Sequence, residues 1–210
     1  MSFYNKYILP SFLNCACGAK PILYQRGKVV PLAEGLVLEV GIGSGLNIPF
    51  YDASKVSKVI GLDPSPELNE MAKKVVSKTA AENGLNVEII LGSAEAMPFP
   101  DDYFDSVVIT YTLCTIPDAA SANLEIRRVL KPGGKLIFCE HGLAPDAGVA
   151  KWQGRIDPIW GKIAGGCHLN RDIPELITSA GFKIETLDQM YLPSTPKFAG
   201  YNYWGVAVIA

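Results

Sequence analysis

The most informative segment of this 210-residue chain is Leu36-Val-Leu-Glu-Val-Gly-Ile-Gly-Ser-Gly-Leu-Asn47. Its first part, from Leu36 to Val40, is an apolar run of the kind found in parallel strands that are buried on both faces. Its second part carries glycines on alternate residues, at Gly41, Gly43 and Gly45. Glycine accepts positive φ and lets a ligand approach the backbone closely. A glycine loop that leaves a strand therefore indicates a binding site for a nucleotide-like cofactor.

A carboxylate at the end of the next apolar run supports that prediction. Asp63 closes the predicted strand 58–63, where an acidic side chain can accept hydrogen bonds from both hydroxyls of a ribose. A helix cap is the alternative role for this residue. The glycine spacing argues against a nicotinamide oxidoreductase, because Leu46 stands where the dinucleotide fingerprint needs its third glycine. No Gly-Lys-Ser/Thr follows the loop, which excludes a P-loop.

The pattern acidic-x-Gly-x-Gly-x-Gly that begins at Glu39 resembles the first motif of the class I S-adenosylmethionine-dependent methyltransferases. The resemblance implies S-adenosylmethionine as cofactor and a Rossmann-like α/β fold, with a seven-stranded, mostly parallel sheet between helices and an antiparallel last strand. It also implies that Glu39 organises the loop around the methionine end of the cofactor; a buried charge satisfied by backbone amides is the alternative. Ser93 and Ala94 stand where the superfamily often has Asp-Ala beside adenine. The residues expected at the cofactor are Glu39, Gly41, Gly43, Ser44, Gly45, Asn47, Asp63, Pro64, Ser93, Ala94 and Thr110.

The rest of the chain alternates strands with helices, which predicts a doubly wound parallel sheet. Predicted strands cover residues 36–40, 58–63, 87–91, 104–110, 135–139, 182–187 and 203–209, and predicted helices cover 66–83, 123–130 and 172–180. We expect a single methyltransferase domain over residues 1–210, with an N-terminal cover at 1–30 and a small helical cap inserted at 149–170. The N-terminal segment has two interpretations, a cover over the sheet edge or a lid over the cofactor.

Composition limits the classes of partner. A net charge of −2 shows no electrostatic footprint for nucleic acid. No stretch reaches the roughly 18 apolar residues that span a bilayer, and the first residues make a poor signal peptide, so a cytoplasmic location is expected, with peripheral membrane contact left open. The five cysteines form neither a disulfide framework nor a pattern with zinc spacing. We therefore expect free thiols and no metal.

Two side chains are candidates for chemistry at the acceptor. Ligands of open α/β sheets bind beyond the carboxyl ends of the strands. His141 follows the fifth strand and titrates near physiological pH, which makes it the candidate catalytic residue; a hydrogen-bonded structural histidine is the alternative. Cys114 follows the fourth strand, but no base neighbours it in sequence, so a small buried apolar residue is favoured over a nucleophile.

A narrower resemblance concerns the acceptor. The motifs that carry it are Leu62-Asp-Pro-Ser-Pro66, Leu113-Cys-Thr-Ile116, Glu125-Ile-Arg-Arg-Val-Leu-Lys-Pro-Gly-Gly134, Glu140-His141, Trp152-Gln153, Asp157-Pro-Ile-Trp160 and Gly166-Cys-His-Leu-Asn-Arg171. These motifs are similar to those of the methyltransferase-like 7 group, and the similarity implies methyl transfer to a small lipophilic thiol. Methylation of a phospholipid head group, a quinone or another small molecule stays open, and so does a cofactor-binding sensor or scaffold without turnover.

The cap segment carries apolar residues at helical spacing, at Trp152, Ile156, Ile159, Trp160 and Ile163. This pattern predicts a helix with one apolar face packed on the domain and tryptophans that wall an acceptor pocket. The alternatives are that the tryptophans fill the cap's own core or that this face docks on a membrane surface. The residues expected at the small-molecule acceptor are Trp152, Asp157, Trp160 and His168.

Overall fold

Seven strands form one sheet in the computed structural model, which describes residues 4–210 without the side chains of Asn5, Lys6 and Ala80. Residues 1–3, the start of the predicted N-terminal cover, lie outside the described residues. The strands are β1 (Gly35–Val40), β2 (Val56–Asp63), β3 (Val87–Leu91), β4 (Phe104–Thr110), β5 (Leu130–His141), β6 (Phe182–Tyr191) and β7 (Tyr201–Ile209). Their order in the sheet is β3-β2-β1-β4-β5-β7-β6.

The strand order places a crevice at the end of β1. β1 pairs in parallel with β2 on one side and with β4 on the other, so the chain connections diverge at this point. Open sheets bind their ligands at such a switch in strand order. β7 lies antiparallel between β5 and β6. The predicted seven-stranded, mostly parallel Rossmann-like sheet with an antiparallel last strand is therefore confirmed.

Helices cover both faces of the sheet. The α-helices are α1 (Leu9–Cys17), α2 (Lys20–Val29), α3 (Pro66–Asn83), α4 (Ala119–Val129), α5 (Ala147–Ile163), α6 (Ile173–Ser179) and α7 (Lys197–Gly200). Within residues 4–210, no helix is both long enough and apolar enough to cross a membrane.

Alternate residues of each central strand enter opposite halves of the core. Leu38 and Val40 of β1 pack with Ile126 of α4 on one face, whereas Val37 packs on the other face against a layer that includes Val29 of α2. All these strand residues are fully buried. Burial on both faces explains why the strands appear in the sequence as continuous apolar runs.

The orientation of α5 differs from the amphipathic prediction. Its buried residues are Gln153 and Asp157, while Trp152, Ile159 and Ile163 are at least half exposed. The cause lies in polar contacts that the periodicity of apolar residues does not reveal. The Gln153 amide accepts a hydrogen bond from the Ala144 N–H and donates to two backbone carbonyls, and the Asp157 carboxylate accepts the Leu169 N–H. Satisfying buried backbone groups in this way sets which side of the helix faces the domain.

Candidate active site

A cavity of about 730 Å³ lies at the carboxyl ends of β1 to β5. Its volume is within the range of small-molecule sites, roughly 300–1,000 Å³. The predicted residues on its wall are Gly41, Gly43, Ser44, Asp63, Pro64, Ser93, Ala94, Thr110, His141 and Trp160. One face of α1 closes the opposite side, and the Ser44 hydroxyl donates a hydrogen bond of 2.6 Å to the Asn14 Oδ1 of that helix. The structure thus places the N-terminal helix over the glycine loop; its function as a lid stays a prediction.

The three positions of the loop require glycine for different steric reasons. All take positive φ, at +71° for Gly41, +55° for Gly43 and +82° for Gly45. A Cβ on Gly41 would overlap the Thr112 side chain, and one on Gly45 would lie 3.3 Å from the Cα of Ala72 on α3. By contrast, a Cβ on Gly43 would meet nothing nearer than 3.9 Å, although this residue lies on the cavity wall. Gly41 and Gly45 therefore serve packing, and Gly43 keeps the wall open to a ligand.

Asp63 is held at the cavity wall by backbone amides. Its two carboxylate oxygens accept the N–H groups of Gly43 at 3.0 Å and Ser65 at 2.8 Å. Burial raises the pKa of the carboxyl, although both amides favour its ionised form. Each oxygen keeps a further lone pair. A pair of hydroxyl donors, such as those of a ribose, fits this arrangement, and the amides fix its direction.

Glu39 and Asn47 lie behind the wall in a buried polar network. The Glu39 carboxyl accepts hydrogen bonds from the Asn47 Nδ2 at 3.0 Å and the Tyr51 hydroxyl at 2.8 Å. Burial raises the pKa of Glu39 to about 7, against the hydrogen bonds and the attraction of Arg26. The Arg26 guanidinium donates to Asn47 Oδ1 at 2.8 Å and to the Thr110 hydroxyl at 2.6 Å. Side chains, not backbone amides, therefore satisfy Glu39, and the network fixes Thr110 at the cavity.

Two wall residues were missed by the sequence analysis, Arg26 of α2 and Asn202 of β7. Both are buried, and within the described residues Arg26 Nε and Asn202 Nδ2 have no hydrogen-bond partner. The Asn202 Oδ1 accepts the Tyr111 hydroxyl at 2.6 Å, and the Arg26 guanidinium carbon lies 5.0 Å from the centroid of the Tyr111 ring. Buried donors without partners are costly, and a small movement of either side chain toward the cavity would let it donate to a ligand acceptor such as a carboxylate. No local pattern marks either residue.

Ser93 lies on the cavity wall, at the position where the superfamily often has an aspartate. Its hydroxyl donates to the Glu95 Oε2 at 2.9 Å, and the Glu95 N–H returns a hydrogen bond to it at 3.2 Å. The neighbouring Ala94 is buried on the same wall. A carboxylate therefore reaches this part of the cavity from Glu95, two residues after the predicted position.

A group of sulfur and nitrogen atoms lies on another part of the wall. His141 Nε2 is 3.0 Å from Cys167 Sγ, which is 3.9 Å from Cys114 Sγ and accepts the Trp160 indole N–H at 3.4 Å. The pKa of Cys167 is raised by the hydrogen bond with Cys114 and by burial. The pKa of His141 is raised as well: burial alone would lower it, but the hydrogen bond with Cys167 and the Glu140 charge outweigh that effect.

Glu140 organises the loop that carries Cys114. Its buried carboxylate accepts the N–H groups of Thr112 at 2.7 Å and Leu113 at 3.0 Å, with a longer contact of 3.4 Å to the Cys114 N–H. Burial raises the pKa of Glu140, and these amides oppose the rise. The side chain before His141 thus joins the ends of β4 and β5 into one wall.

The four residues expected at the acceptor lie in different places. Trp160 lines the cavity, but Trp152 is 60% exposed and lines a separate groove with Lys197. Asp157 and His168 do not line the cavity; His168 Nδ1 lies 2.8 Å from Asp157 Oδ2. The structure therefore brings Trp160 to the predicted site and pairs Asp157 with His168 beside it.

The wall fits the cofactor expected from the sequence. An open position above Gly43, an acceptor pair on Asp63, and unpartnered donors on Arg26 and Asn202 match a molecule with a ribose and a carboxylate. The remaining wall, next to His141, is rich in apolar side chains and sulfur. Glu39, Gly45 and Asn47 support the wall without lining it.

Comparisons with known proteins agree with this geometry. A family model described as a methyltransferase domain matches residues 38–138. The chain is 36% identical over 176 residues to the thiol S-methyltransferase TMT1B of Rattus norvegicus, which covers 80% of this chain and 70% of that protein. It is 33% identical over 116 residues to the ubiquinone/menaquinone biosynthesis C-methyltransferase UbiE of Geotalea daltonii, covering 54% of this chain and 48% of that protein. Its fold is similar to that of an S-adenosylmethionine-dependent methyltransferase from Methanosarcina mazei, with a TM-score of 0.67 at 22% identity over 91% of this chain and 98% of that one.

Proposed function

The chain belongs to the class I S-adenosylmethionine-dependent methyltransferases, close to their thiol S-methyltransferase group, and we propose that its methyl acceptor is a small lipophilic thiol. The observation that carries this proposal is one continuous cavity, in which the cofactor-binding loop adjoins an apolar wall with Cys114, Cys167 and His141. The name of the rat relative gives the same acceptor class for that protein.

The proposed cofactor residues divide by role. Asp63 accepts the ribose hydroxyls, and Arg26 and Asn202 donate to the carboxylate. Gly41, Gly43, Ser44 and Pro64 form the backbone wall, and Ser93 and Ala94 line the adenine end together with Glu95. Glu39, Gly45, Asn47 and Thr110 hold the loop in place. S-adenosylmethionine supplies a methyl group that is already activated on a sulfonium.

The chain's own residues then need to align the acceptor and exclude water. Alignment can contribute as much as about 7–11 kcal/mol to lowering the barrier. A thiol with a pKa near about 8.5 supplies some thiolate without help, so a strong base is not required. In the proposal, His141 orients the acceptor or takes its proton, and Trp160 walls the acceptor side. Asp157 acts indirectly by holding His168 and the Leu169 N–H.

A quinone-type acceptor is the second candidate function. The Geotalea daltonii relative is named for ubiquinone and menaquinone biosynthesis, and the apolar wall also suits a ring with a lipophilic tail. The thiol is favoured by the higher identity to the rat relative over more of the chain, 36% over 176 residues against 33% over 116 residues.

A labelled-methyl transfer assay tests the proposal. The purified chain is given methyl-labelled S-adenosylmethionine with matched acceptors: an alkyl thiol, the corresponding alcohol and amine, a phenol, a reduced quinone, and vesicles containing phosphatidylethanolamine. We expect label on the thiol alone, and much less label with Asp63→Ala at a cofactor concentration near the Kd of the parent. Transfer to the quinone or the phospholipid in preference to the thiol would overturn the proposal.

A further inference from the structure

Three metal-ligating side chains from separate segments meet at the cavity wall. Cys114 follows β4, His141 ends β5, and Cys167 follows α5. One ligand atom from each lies within 4.8 Å of the others, and both cysteines are buried. The sequence spacing did not predict a metal site, because the three positions are 26 or more residues apart.

One of the three separations already matches that of tetrahedral zinc. Bond lengths of about 2.3 Å to sulfur and about 2.0–2.1 Å to nitrogen place two thiolates roughly 3.8 Å apart and a thiolate and an imidazole roughly 3.6 Å apart. The two sulfurs of Cys114 and Cys167 are 3.9 Å apart, whereas His141 Nε2 and Cys167 Sγ are at the hydrogen-bond distance of 3.0 Å. The His141 ring nitrogen also lies within 4.8 Å of Cys114 Sγ, so a rotation of His141 away from Cys167 and toward Cys114 leads to a zinc-binding geometry.

Each sulfur also has a polar neighbour of the kind that supports metal thiolates. The Thr115 hydroxyl lies 3.4 Å from Cys114 Sγ, and the Trp160 indole N–H donates to Cys167 Sγ at 3.4 Å. Donors to the sulfur stabilise the ionised ligand and fix its direction. The His168 N–H donates to the Cys114 carbonyl at 2.7 Å, which ties the loop of one cysteine to that of the other.

We propose that Cys114, Cys167 and His141 bind one Zn²⁺ ion, with the fourth coordination position open to the cavity. Two thiolates and an imidazole select a borderline-soft ion such as Zn²⁺ over Mg²⁺ or Ca²⁺. Three protein ligands and an open position are typical of catalytic rather than structural zinc. All three residues line the cavity that contains the cofactor-binding loop, so a ligand in the fourth position faces that loop across one space.

The open position gives the site a role with the acceptor. Binding of Zn²⁺ releases the two cysteine protons, and the neutral imidazole completes the protein ligands. In the zinc-bound protein His141 is a ligand and orients the acceptor through the metal, so an acceptor thiol in the fourth position loses its proton to solvent and stays bound as a thiolate. The S–CH₃ bond then forms on the acceptor while the sulfonium C–S bond of the cofactor breaks, leaving a neutral thioether and the methylated acceptor. The site rests on the geometry alone; this role rests on the proposed function.

Cobalt titration of the full chain tests the site without reference to activity. The protein is stripped with chelator, its five cysteines are kept reduced, and Co²⁺ is added as a spectroscopic probe. We expect one equivalent to bind with a thiolate-to-cobalt charge-transfer band that added Zn²⁺ removes. Cys114→Ser and Cys167→Ser should each weaken binding more than 100-fold, and the exposed-site control Cys15→Ser should leave it unchanged.

Far-ultraviolet circular dichroism and affinity for S-adenosylhomocysteine confirm that each variant is folded. A reduced, folded parent that shows no charge-transfer band, or a band that survives both substitutions, overturns the site. An alkyl thiol is then added to the cobalt-loaded protein. We expect it to change the cobalt spectrum, and an unchanged spectrum overturns the acceptor role. Stoichiometric metal with no methylation of any thiol refutes the proposed function and leaves the zinc site supported.

Discussion

Replacing Glu39 with glutamine should change how the stability of this protein depends on pH. The carboxyl lies among Tyr51, Asn47 and Arg26, and burial raises its pKa from 4.5 to about 7. In Glu39→Gln the amide oxygen can still accept from Asn47, and its NH₂ can donate to the Tyr51 oxygen. The variant therefore keeps the shape of the network and removes the one titrating group.

The direction of the pH dependence follows from which state, folded or unfolded, binds the Glu39 proton more tightly. The folded protein holds the Glu39 proton more tightly than the unfolded chain does, so this group stabilises the fold below the unfolded pKa of 4.5, and that contribution is lost as pH rises through about 7. Between pH 5 and pH 8 the loss amounts to roughly 2.5 kcal/mol, from about 1.4 kcal/mol per pKa unit. The buried acids Asp63 and Glu140 remain in both proteins, so their effects cancel in the difference between parent and variant.

Urea unfolding at pH 5, 6, 7 and 8 measures the effect. We expect the unfolding free energy of Glu39→Gln minus that of the parent to increase by roughly 2.5 kcal/mol from pH 5 to pH 8. Glu82→Gln, at an exposed carboxyl of α3, is the matched control and should follow the parent at every pH. Parallel profiles for the parent and Glu39→Gln would refute the inference that burial controls this carboxyl.

Three further outcomes concern the cavity. Asp63→Ala should raise the calorimetric Kd for S-adenosylmethionine about 10- to 150-fold, the equivalent of about 1.5–3 kcal/mol for a lost charge-assisted hydrogen bond; parent-like binding would show that no ligand uses the carboxylate. Gly43→Ala should lower cofactor affinity at least tenfold and cost about 1–2 kcal/mol of stability. Gly41→Ala should lose more stability, because its Cβ would overlap the Thr112 side chain. Thermal melts with and without cofactor distinguish the two variants. Trp160→Ala should raise the acceptor KM, more for long-chain than for short-chain thiols, and Trp152→Ala should not; equal effects in steady-state assays would contradict the assignment of the cavity wall.

Local sequence was enough to predict the fold and the place of the cofactor. The strand residues from Val37 to Val40 are buried on both faces of the sheet, and this burial explains the continuous apolar run in the sequence. Glycine spacing and Asp63 carried the cofactor prediction because backbone conformation and strand position are short-range properties. The resemblance added the antiparallel last strand, which spacing alone does not give.

The sequence failed where polar contacts between distant segments decide the outcome. Apolar periodicity in the cap predicted that Trp152 would wall an acceptor pocket, but hydrogen bonds of Gln153 and Asp157 to distant backbone turn the other side of α5 inward. The spacing of apolar residues predicts which face of a helix is apolar. The cost of leaving buried backbone groups without hydrogen bonds can outweigh the gain from burying that face, and only the folded chain shows which backbone groups are buried.

A Rossmann-like sheet with a glycine loop at the end of its first strand follows from the local sequence, because strand burial and glycine conformation are encoded locally. The composition of the cavity wall follows from the tertiary structure alone. The fold brought Arg26 to the glycine loop and joined Cys114, His141 and Cys167 into one cluster. Those residues are far apart in the chain, and the cluster depends on separations of 3–4 Å that arise when the ends of β4 and β5 meet the segment that follows α5.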